Sequence, residues 1–325
     1  MRTLSYLAGH PVLRRVGEAV LTLLGVSVLT FVLLRVLPGD QITASYGIDA
    51  GELTPEQVAQ LRAYYGVDKP LVEQFFSWLG GVLTGNLGVS SNAGQSVADL
   101  TSQALPVTAE LAVLAILLAL LIGVPAGLLA ASRPGALRDT TAQTLSLLSL
   151  SAPVFLTSTV LATMLANSFG WNPNGLNYAR FTEDPLLNLQ QMLLPALVLG
   201  VSIAAPIMQT TRTAILDIRG EDFIRTARAK GVPERLLQTR HVLRNALIPI
   251  VTMSGLQFGF LLGGAVVVEQ IFSLPGIGRQ VLIGMGQKEY SVVQSTVLVI
   301  AVLFVLVNLL TDLVYRLVDP RVWSR

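Results

Sequence analysis

The chain carries little charge, has no cysteine and has only two histidines. Of its 325 residues, 13% are charged and 52% are hydrophobic, whereas a typical soluble domain has about 25% charged residues. Mean hydropathy is +0.63. A disulfide scaffold is excluded, and a Cys/His zinc site has too few ligands to form. The composition is that of a membrane protein, and no metal site is expected.

Catalytic signatures are also missing. None of the three lysines, Lys69, Lys230 and Lys288, follows a glycine, so a Walker A phosphate loop is excluded. Neither histidine lies within a long apolar run, so an intramembrane serine protease would lack its base. The interiors of these runs lack ionisable residues, which argues against a proton relay. We therefore expect a non-catalytic chain without a bound cofactor, and any active transport would need energy from another polypeptide.

Six uncharged runs approach the length of about 20 apolar residues that a membrane-spanning helix needs. The sequence thus predicts an all-α membrane protein with six transmembrane helices. The predicted spans are 19–37, 105–132, 140–166, 189–212, 245–268 and 291–315. The segments between them are 38–104, 167–188 and 269–290 on one side, and 1–18, 133–139, 213–244 and 316–325 on the other.

The basic residues predict which side is the cytoplasm. If the N-terminus is inside, cytoplasmic segments hold 16 of the 22 basic residues and 8 of the 20 acidic ones. Both termini are therefore predicted to be cytoplasmic, and 38–104 to be external. This asymmetry explains the net charge of +2, so no nucleic-acid partner is expected. A cleaved signal peptide at the first span is an alternative that the charge count leaves open.

The external segment has helical signals of its own. Residues 54–57 read as a capping box with proline at the first helical position, and this helix should stop at Gly66. After Pro70, an apolar face predicts an amphipathic helix that lies at the membrane interface or, equally, packs on the ends of the spans. This face comprises Leu71, Phe75, Trp78, Leu79 and Val82. Four glycines, Gly80, Gly81, Gly85 and Gly88, are expected to break the pattern into a loop.

The cytoplasmic stretch 212–244 is the most charged part of the chain, with 12 charged residues in 33. Acidic residues stand where a helix N-terminus favours them, Gly231 should end this first helix, and Pro233 should begin a second. Such a charged hairpin predicts either a docking surface for a soluble partner or a solvated loop that only sets orientation. Pattern alone does not separate the two.

Small and polar residues recur within the spans. Gly255, Gly259 and Gly263 are four residues apart, as Gly123 and Gly127 are in the second span. Such spacing lets helices approach closely, either in static packing, which we favour, or at a sliding interface. Uncharged polar side chains could line a wet cavity or hydrogen-bond between helices, and no role is assigned to them. They are Ser146, Ser149, Ser151, Thr157, Ser158, Thr159, Gln209, Thr210 and Gln257.

Ordered motifs give the chain a family resemblance. Residues 222–231 (DFIRTARAKG), followed by 241–249 (HVLRNALIP), resemble the coupling-loop signature of ABC importer permeases, and the dipeptide/oligopeptide branch in particular. The general pattern has Glu-Ala-Ala before the glycine, whereas this chain has Arg225-Thr226-Ala227, as the peptide branch commonly does. Further similar motifs lie at 23–40, 66–71, 85–88, 105–111, 267–278 and 317–321.

The resemblance implies a type I importer fold with a permease core at 105–315, in a prokaryotic plasma (inner) membrane. It implies a second homologous permease, two cytoplasmic ATPase subunits that use ATP and magnesium, and an extracytoplasmic binding protein. The ATPase-coupling residues would be Glu221, Asp222, Phe223, Ile224, Arg225, Thr226, Ala227, Arg228, Ala229, Lys230 and Gly231. The implied cargo is a short peptide, with a nickel chelate, glutathione or a sugar as alternatives. A stand-alone channel or membrane enzyme is the alternative of another class.

Overall fold

The computed structural model describes residues 11–36, 54–171 and 178–318. Within these ranges helices are joined by turns and loops, and the strand-like pairing is one isolated bridge between Val89 and Ser96. The helices are α1 (Pro11–Val36), α2 (Pro55–Tyr65), α3 (Leu71–Leu83), α4 (Val97–Ser132), α5 (Leu137–Ser151), α6 (Val154–Phe169), α7 (Pro185–Gly220), α8 (Asp222–Ala229), α9 (Glu234–Leu236), α10 (Arg244–Ile271), α11 (Ile277–Gly286) and α12 (Tyr290–Val318). A π-helical segment, Leu237–Leu243, joins α9 to α10. Residues 1–10, 37–53, 172–177 and 319–325 lie outside the described residues, and with them parts of the predicted segments 1–18, 38–104, 167–188 and 316–325 and the motif residues 37–40 and 319–321.

Four helical stretches are long and apolar enough to cross a membrane: Arg14–Val36, Val97–Ser132, Pro185–Gly220 and Tyr290–Thr311. Two further candidates are bent pairs. Leu137–Ser151 and Val154–Phe169 meet at 94°, and Glu234–Leu261 and Ala265–Ile271 meet at 51°. The predicted third span, 140–166, is therefore not one straight helix. Pro153 has no N–H to continue the helical ladder, and it disfavours helical geometry at the preceding residue.

The chain divides into two compact units. The first comprises Met1–Pro106 and Arg279–Val305, and the second Val107–Gly278 and Leu306–Arg325. In the first unit, α3 packs on α1: the Phe31 and Phe75 rings lie 5.2 Å apart, edge to face. Trp78 Nε1 donates to Ser295 Oγ of α12 at 3.4 Å. These contacts favour the second interpretation of the amphipathic helix, in which it packs on the spans.

Local signals in the external segment are mostly confirmed. Thr54 Oγ1 accepts from the Gln57 amide, and the Gln57 side chain accepts from the Thr54 amide, which completes the capping box. The helix ends at Gly66, whose φ is 65°. Gly85 and Gly88 lie in the following loop with positive φ. The expectation for Gly80 and Gly81 is wrong, because both lie inside α3. The half-buried ring of Phe75 packs on Phe31, and this contact helps to hold the helix despite the low helical propensity of glycine.

In the second unit, α7 is the most buried of the long helices and packs on α5 and α10. Glycines allow α4 to cross it closely. A Cβ on Gly123 would lie 2.7 Å from the Ala204 carbonyl oxygen, and one on Gly127 would lie 2.6 Å from Thr211 Cβ. The segment 269–290, predicted as an external loop, contains the ten-residue helix α11.

Candidate functional site

The hairpin that the sequence predicts to be cytoplasmic is the candidate site, and it consists of α8, the turn at Gly231, α9 and the π-helical segment. Glu221 is the N-cap of α8, and Asp222 places negative charge in its first turn. Gly231 leaves the helix at φ 78°, a left-handed conformation that L-residues rarely adopt. Its amide donates to the Arg228 carbonyl at 3.0 Å. The chain thereby reverses direction immediately after α8.

One side chain anchors α8 to the rest of the unit. Ile224 is fully buried in a cluster with Ala214, Ile215, Leu237 and Val242. Ala227 packs against the edge of this cluster. The same cluster includes Ala131, Ala246 and Ile250, so it also joins the ends of α4 and α10. Fully burying an isoleucine contributes about 1.5–3 kcal/mol, which fixes a helix too short to be stable by itself.

The opposite face of α8 is exposed. Exposed residues are Glu221, Asp222, Phe223, Arg225, Thr226, Arg228, Ala229 and Lys230, and Gly231 beyond the helix is exposed as well. Phe223 stands out because 45% of this large apolar residue is exposed between charged neighbours. An exposed aromatic ring with charges around it is typical of an interaction surface.

A chain of polar contacts ties the hairpin to the bundle. Arg219, near the end of α7, donates through Nη1 to the Ala131 carbonyl of α4 and through Nη2 to Gln238 Oε1 at 2.8 Å. Gln238 Nε2 donates to Glu234 Oε1 at 2.7 Å, and Arg228 Nη2 lies 3.2 Å from the same oxygen. The hydrogen bonds from Arg228 and Gln238 hold the pKa of Glu234 below its usual value. Sequence reasoning missed this network, whose hydrogen-bonded pairs are up to 88 residues apart.

A second link holds the short loop between α4 and α5. The Asp139 side chain is buried and receives two hydrogen bonds from Arg212 of α7, at 2.6 and 2.8 Å. The Gly135 amide and Gln143 Nε2 each donate to it at 2.8 Å. A bidentate arginine–carboxylate pair with further donors is a strong, directional contact. It fastens the loop between α4 and α5 to α7, the helix that leads into the hairpin.

The glycines of the fifth predicted span all lie in α10. A Cβ on Gly255 would lie 2.1 Å from Thr311 Cγ2, so α10 and the end of α12 approach closely there. Gly259 is buried, and Gly263 lies in the same helix. The polar residues of the spans mostly serve hydrogen bonds. Ser149 donates to the Val201 carbonyl at 3.1 Å, and Gln209 Nε2 donates to Ser146 Oγ at 2.8 Å.

Two family models match the chain over most of its length. Residues 123–324 match the binding-protein-dependent transport system inner membrane component. Residues 10–112 match the N-terminal part of the membrane component of such systems. The chain belongs to this family. As a membrane component of a binding-protein-dependent transport system, it carries the hairpin within the larger of the two matched regions.

Named relatives of this membrane component are similar over nearly their whole length. It is 38% identical to the dipeptide transport system permease protein DppB of Escherichia coli K12, with 96% of this chain and 98% of that protein covered. It is 37% identical to a putative peptide transport system permease protein of Brucella abortus, with 96% of this chain and 98% of that protein covered. It is 38% identical to the di/tripeptide transport system permease protein DppB of Pseudomonas aeruginosa, with 95% of this chain and 97% of that protein covered.

Proposed function

We propose that this membrane component is one of two permease subunits in an ATP-driven importer of short peptides, and that α8 seats on a cytoplasmic ATPase subunit. The membership of the family and the peptide transport named for its relatives support this assignment. The observation that carries the coupling role is the two-sided α8, with buried Ile224 facing the bundle and exposed Phe223 facing away. In this proposal the second permease and the external binding protein complete the transporter, and ATP and magnesium are bound by the ATPases.

The contacts of the hairpin can transmit motion from α8 to the helix bundle and from the bundle to α8. Ile224 and the Arg219–Gln238–Glu234 contacts bind α8 to the ends of α4, α7 and α10. A displacement of α8 therefore moves these helix ends with it, instead of being absorbed by a slack loop. The turn at Gly231 lets α8 protrude while both of its ends stay attached to the bundle. This arrangement is suited to converting closure of an ATPase pair into helix movement.

Phe223→Ala tests the coupling role. We expect ATP-driven peptide uptake by the complete reconstituted transporter to fall by about tenfold or more, because central aromatic contacts dominate interfaces. The thermal stability of the chain should hardly change, since Phe223 makes no buried contact of the kind that Ile224 makes. Phe181→Ala is the matched control, because Phe181 is a similarly exposed aromatic residue outside the hairpin, at 52%, and this variant should retain wild-type uptake. Wild-type uptake in the Phe223 variant would contradict the proposal.

We also propose that each bent pair counts as one crossing, which gives six spans with both termini in the cytoplasm. The absence of cysteine makes a direct test simple. Cysteine introduced at Val89, which is 54% exposed, should react in intact cells with a maleimide that crosses the outer but not the inner membrane. Cysteine at Ala229, on the hairpin, should react only after the inner membrane is opened. The reverse labelling would overturn this orientation.

A further inference from the structure

A polar pocket of about 440 Å³ lies within the first unit. Its walls come from the end of α1, the turn after α2, α3 with the loop that follows, and the start of α12. Lining residues include Arg35, Lys69, Gln74, Trp78, Asn86 and Gln294. The volume falls in the range of small-molecule sites, about 300–1,000 Å³. The pocket is distinct from the hairpin and from the packing glycines.

Arg35 brings an unneutralised positive charge to this pocket. Its Nε donates to Gln74 Oε1 and its Nη1 to Gln294 Oε1, each at 3.0 Å. Its Nη1 also lies 3.4 Å from the Phe31 carbonyl, and the guanidinium carbon lies 3.5 Å from the centroid of the Phe31 ring. Among the residues that the structure describes, no carboxylate pairs with Arg35, and its Nη2 donates to no group. A half-buried arginine thus retains donors for one more partner.

Gln294 supplies a second unused donor. This residue is 2% exposed, and its side-chain nitrogen is buried without an acceptor among the described residues. The side-chain oxygens of Gln294 and Gln74 both already accept from Arg35. The side-chain nitrogen of Gln74 is also used, because it donates to the Lys69 carbonyl at 2.7 Å. A buried polar group without a partner costs about 1–3 kcal/mol. The cluster therefore has surplus donors and lacks an acceptor.

The charge balance of the pocket selects a monovalent anion. Lys69 adds little net charge, because its ammonium group pairs with Glu73 at 2.8 Å. One guanidinium with amide donors suits a singly charged carboxylate better than a doubly charged phosphate, and arginine binds carboxylates in a planar, directional manner. Trp78 and Tyr290 add aromatic surface for an attached organic group.

We propose that this pocket binds the free C-terminal carboxylate of a short peptide, with Arg35 as the charged ligand and Gln294 as the second donor. The carboxylate chemistry follows from the pocket itself, while the choice of a peptide as its source rests on the proposed function. The site is additional to any substrate path through the spans.

The test measures peptide binding by the purified full chain in a maltoside detergent, which lacks phosphate headgroups. Replacing Trp171 and Trp323 by phenylalanine leaves Trp78 as the single tryptophan, so that a change in its fluorescence reports binding at the pocket. Calorimetry on the same sample gives an independent measurement of binding. The probes are dialanine, dialaninamide and inorganic phosphate. We expect saturable binding of dialanine and binding at least about tenfold weaker for the other two, since a hydrogen bond to a charged group contributes about 1.5–3 kcal/mol.

Gln294→Glu is the decisive variant, because it places a carboxylate of nearly the same shape beside Arg35. We expect this variant to fold with equal or higher thermal stability and to lose dialanine binding by about tenfold or more. Arg35→Gln should lose binding to a similar extent, and Lys69→Gln is the control that should retain it. Equal binding of dialanine and its amide, tighter binding of phosphate, no binding by either method, or wild-type binding in Gln294→Glu would each overturn the proposal.

The two proposals can fail separately. If the peptide importer is wrong, the complete transporter shows no ATP-driven peptide uptake, whatever the isolated chain binds. If only the pocket is wrong, uptake is ATP-driven and the Gln294→Glu variant binds dialanine as the wild type does.

Discussion

Gly231 and Gly276 both lie in tight turns of the second unit, but the chain needs glycine there for opposite reasons. Gly231 has φ 78° and open space around the position of a Cβ. Gly276 lies after a short loop, and a Cβ there would lie 2.2 Å from the carboxyl carbon of Glu269. The first glycine is required by backbone conformation, and the second by side-chain volume. In the sequence, one glycine follows a charged residue and the other follows a proline. Neither pattern tells which of the two requirements applies.

The surroundings of Glu269 explain the second requirement. Its side chain is fully buried, and its Oε1 accepts from Thr108 Oγ1 at 2.5 Å. The same hydroxyl oxygen accepts from the Ile277 amide at 2.9 Å, so it links the carboxylate to the start of α11. A charge directly after the fifth predicted span, 245–268, would ordinarily snorkel to the interface or pair there. Instead its carboxylate is enclosed by the loop that follows α10, with glycines at 276 and 278 leaving room for it.

Of the substitutions that test the comparison between Gly231 and Gly276, Gly276→Ala should lower the stability of the chain most. The added methyl group would overlap a fully buried carboxylate that accepts a hydrogen bond from Thr108, and overpacking of this kind costs about 1–3 kcal/mol, occasionally more. We expect destabilisation of about 3 kcal/mol, measured as a fall in the thermal midpoint of the purified chain. Gly220→Ala, at a helical position with nothing within 4 Å, is the control and should be neutral. A Gly276 variant as stable as wild type would remove the steric explanation.

Gly231→Val should have a smaller effect on stability and a larger one on transport. An L-residue in the left-handed region costs about 1–2 kcal/mol, and this cost is confined to the turn after α8. We expect normal insertion and assembly, but ATP hydrolysis uncoupled from peptide uptake in the reconstituted transporter. Gly231→Asn is the control, because asparagine tolerates this conformation, and it should retain most uptake. Wild-type uptake in the valine variant would refute the need for the turn.

Removing the Glu234 contacts should have the smallest effect on stability, and this effect should depend on pH. The pKa of Glu234 is lowered by hydrogen bonds from Arg228 and Gln238, so its contribution to hairpin stability is present above the ordinary glutamate pKa. It is lost as the pH falls through the lowered pKa. Hydrogen-exchange protection of α8 should be higher in wild type than in Glu234→Gln at neutral pH, and the difference should vanish in acid. A difference that does not change with pH would contradict the electrostatic origin.

Local signals were the part of the fold that the sequence predicted well. The capping box at Thr54 and the stop at Gly66 depend on neighbouring residues, and both are confirmed. The end of α8 near Gly231 is visible for the same reason. A lone apolar Ile224 on one face of a charged helix could also have identified the anchor, because its neighbours along that face are polar or small.

Long-range contacts were beyond reach of the sequence. Thr108 and Glu269 are 161 residues apart, and Asp139 and Arg212 are 73 apart. Arg35 lies near the end of the first predicted span, 19–37, and nothing in the sequence places Gln74 and Gln294 beside it, as the structure does. Hydropathy also hid the break at Pro153, because the two helices together are apolar enough for a span and a bend leaves the average hydropathy unchanged.

That break also bears on the thickness of the surrounding bilayer. At a rise of about 1.5 Å per residue, the 15 residues of α5 and the 16 of α6 are each about 22–24 Å long, shorter than a hydrocarbon core of about 30 Å. Because Pro153 cannot donate, the Ser149 carbonyl lacks its usual helical partner. In the proposed six-span arrangement α5 and α6 form one bent crossing, and we predict that lipids with shorter acyl chains suit this crossing better than longer ones.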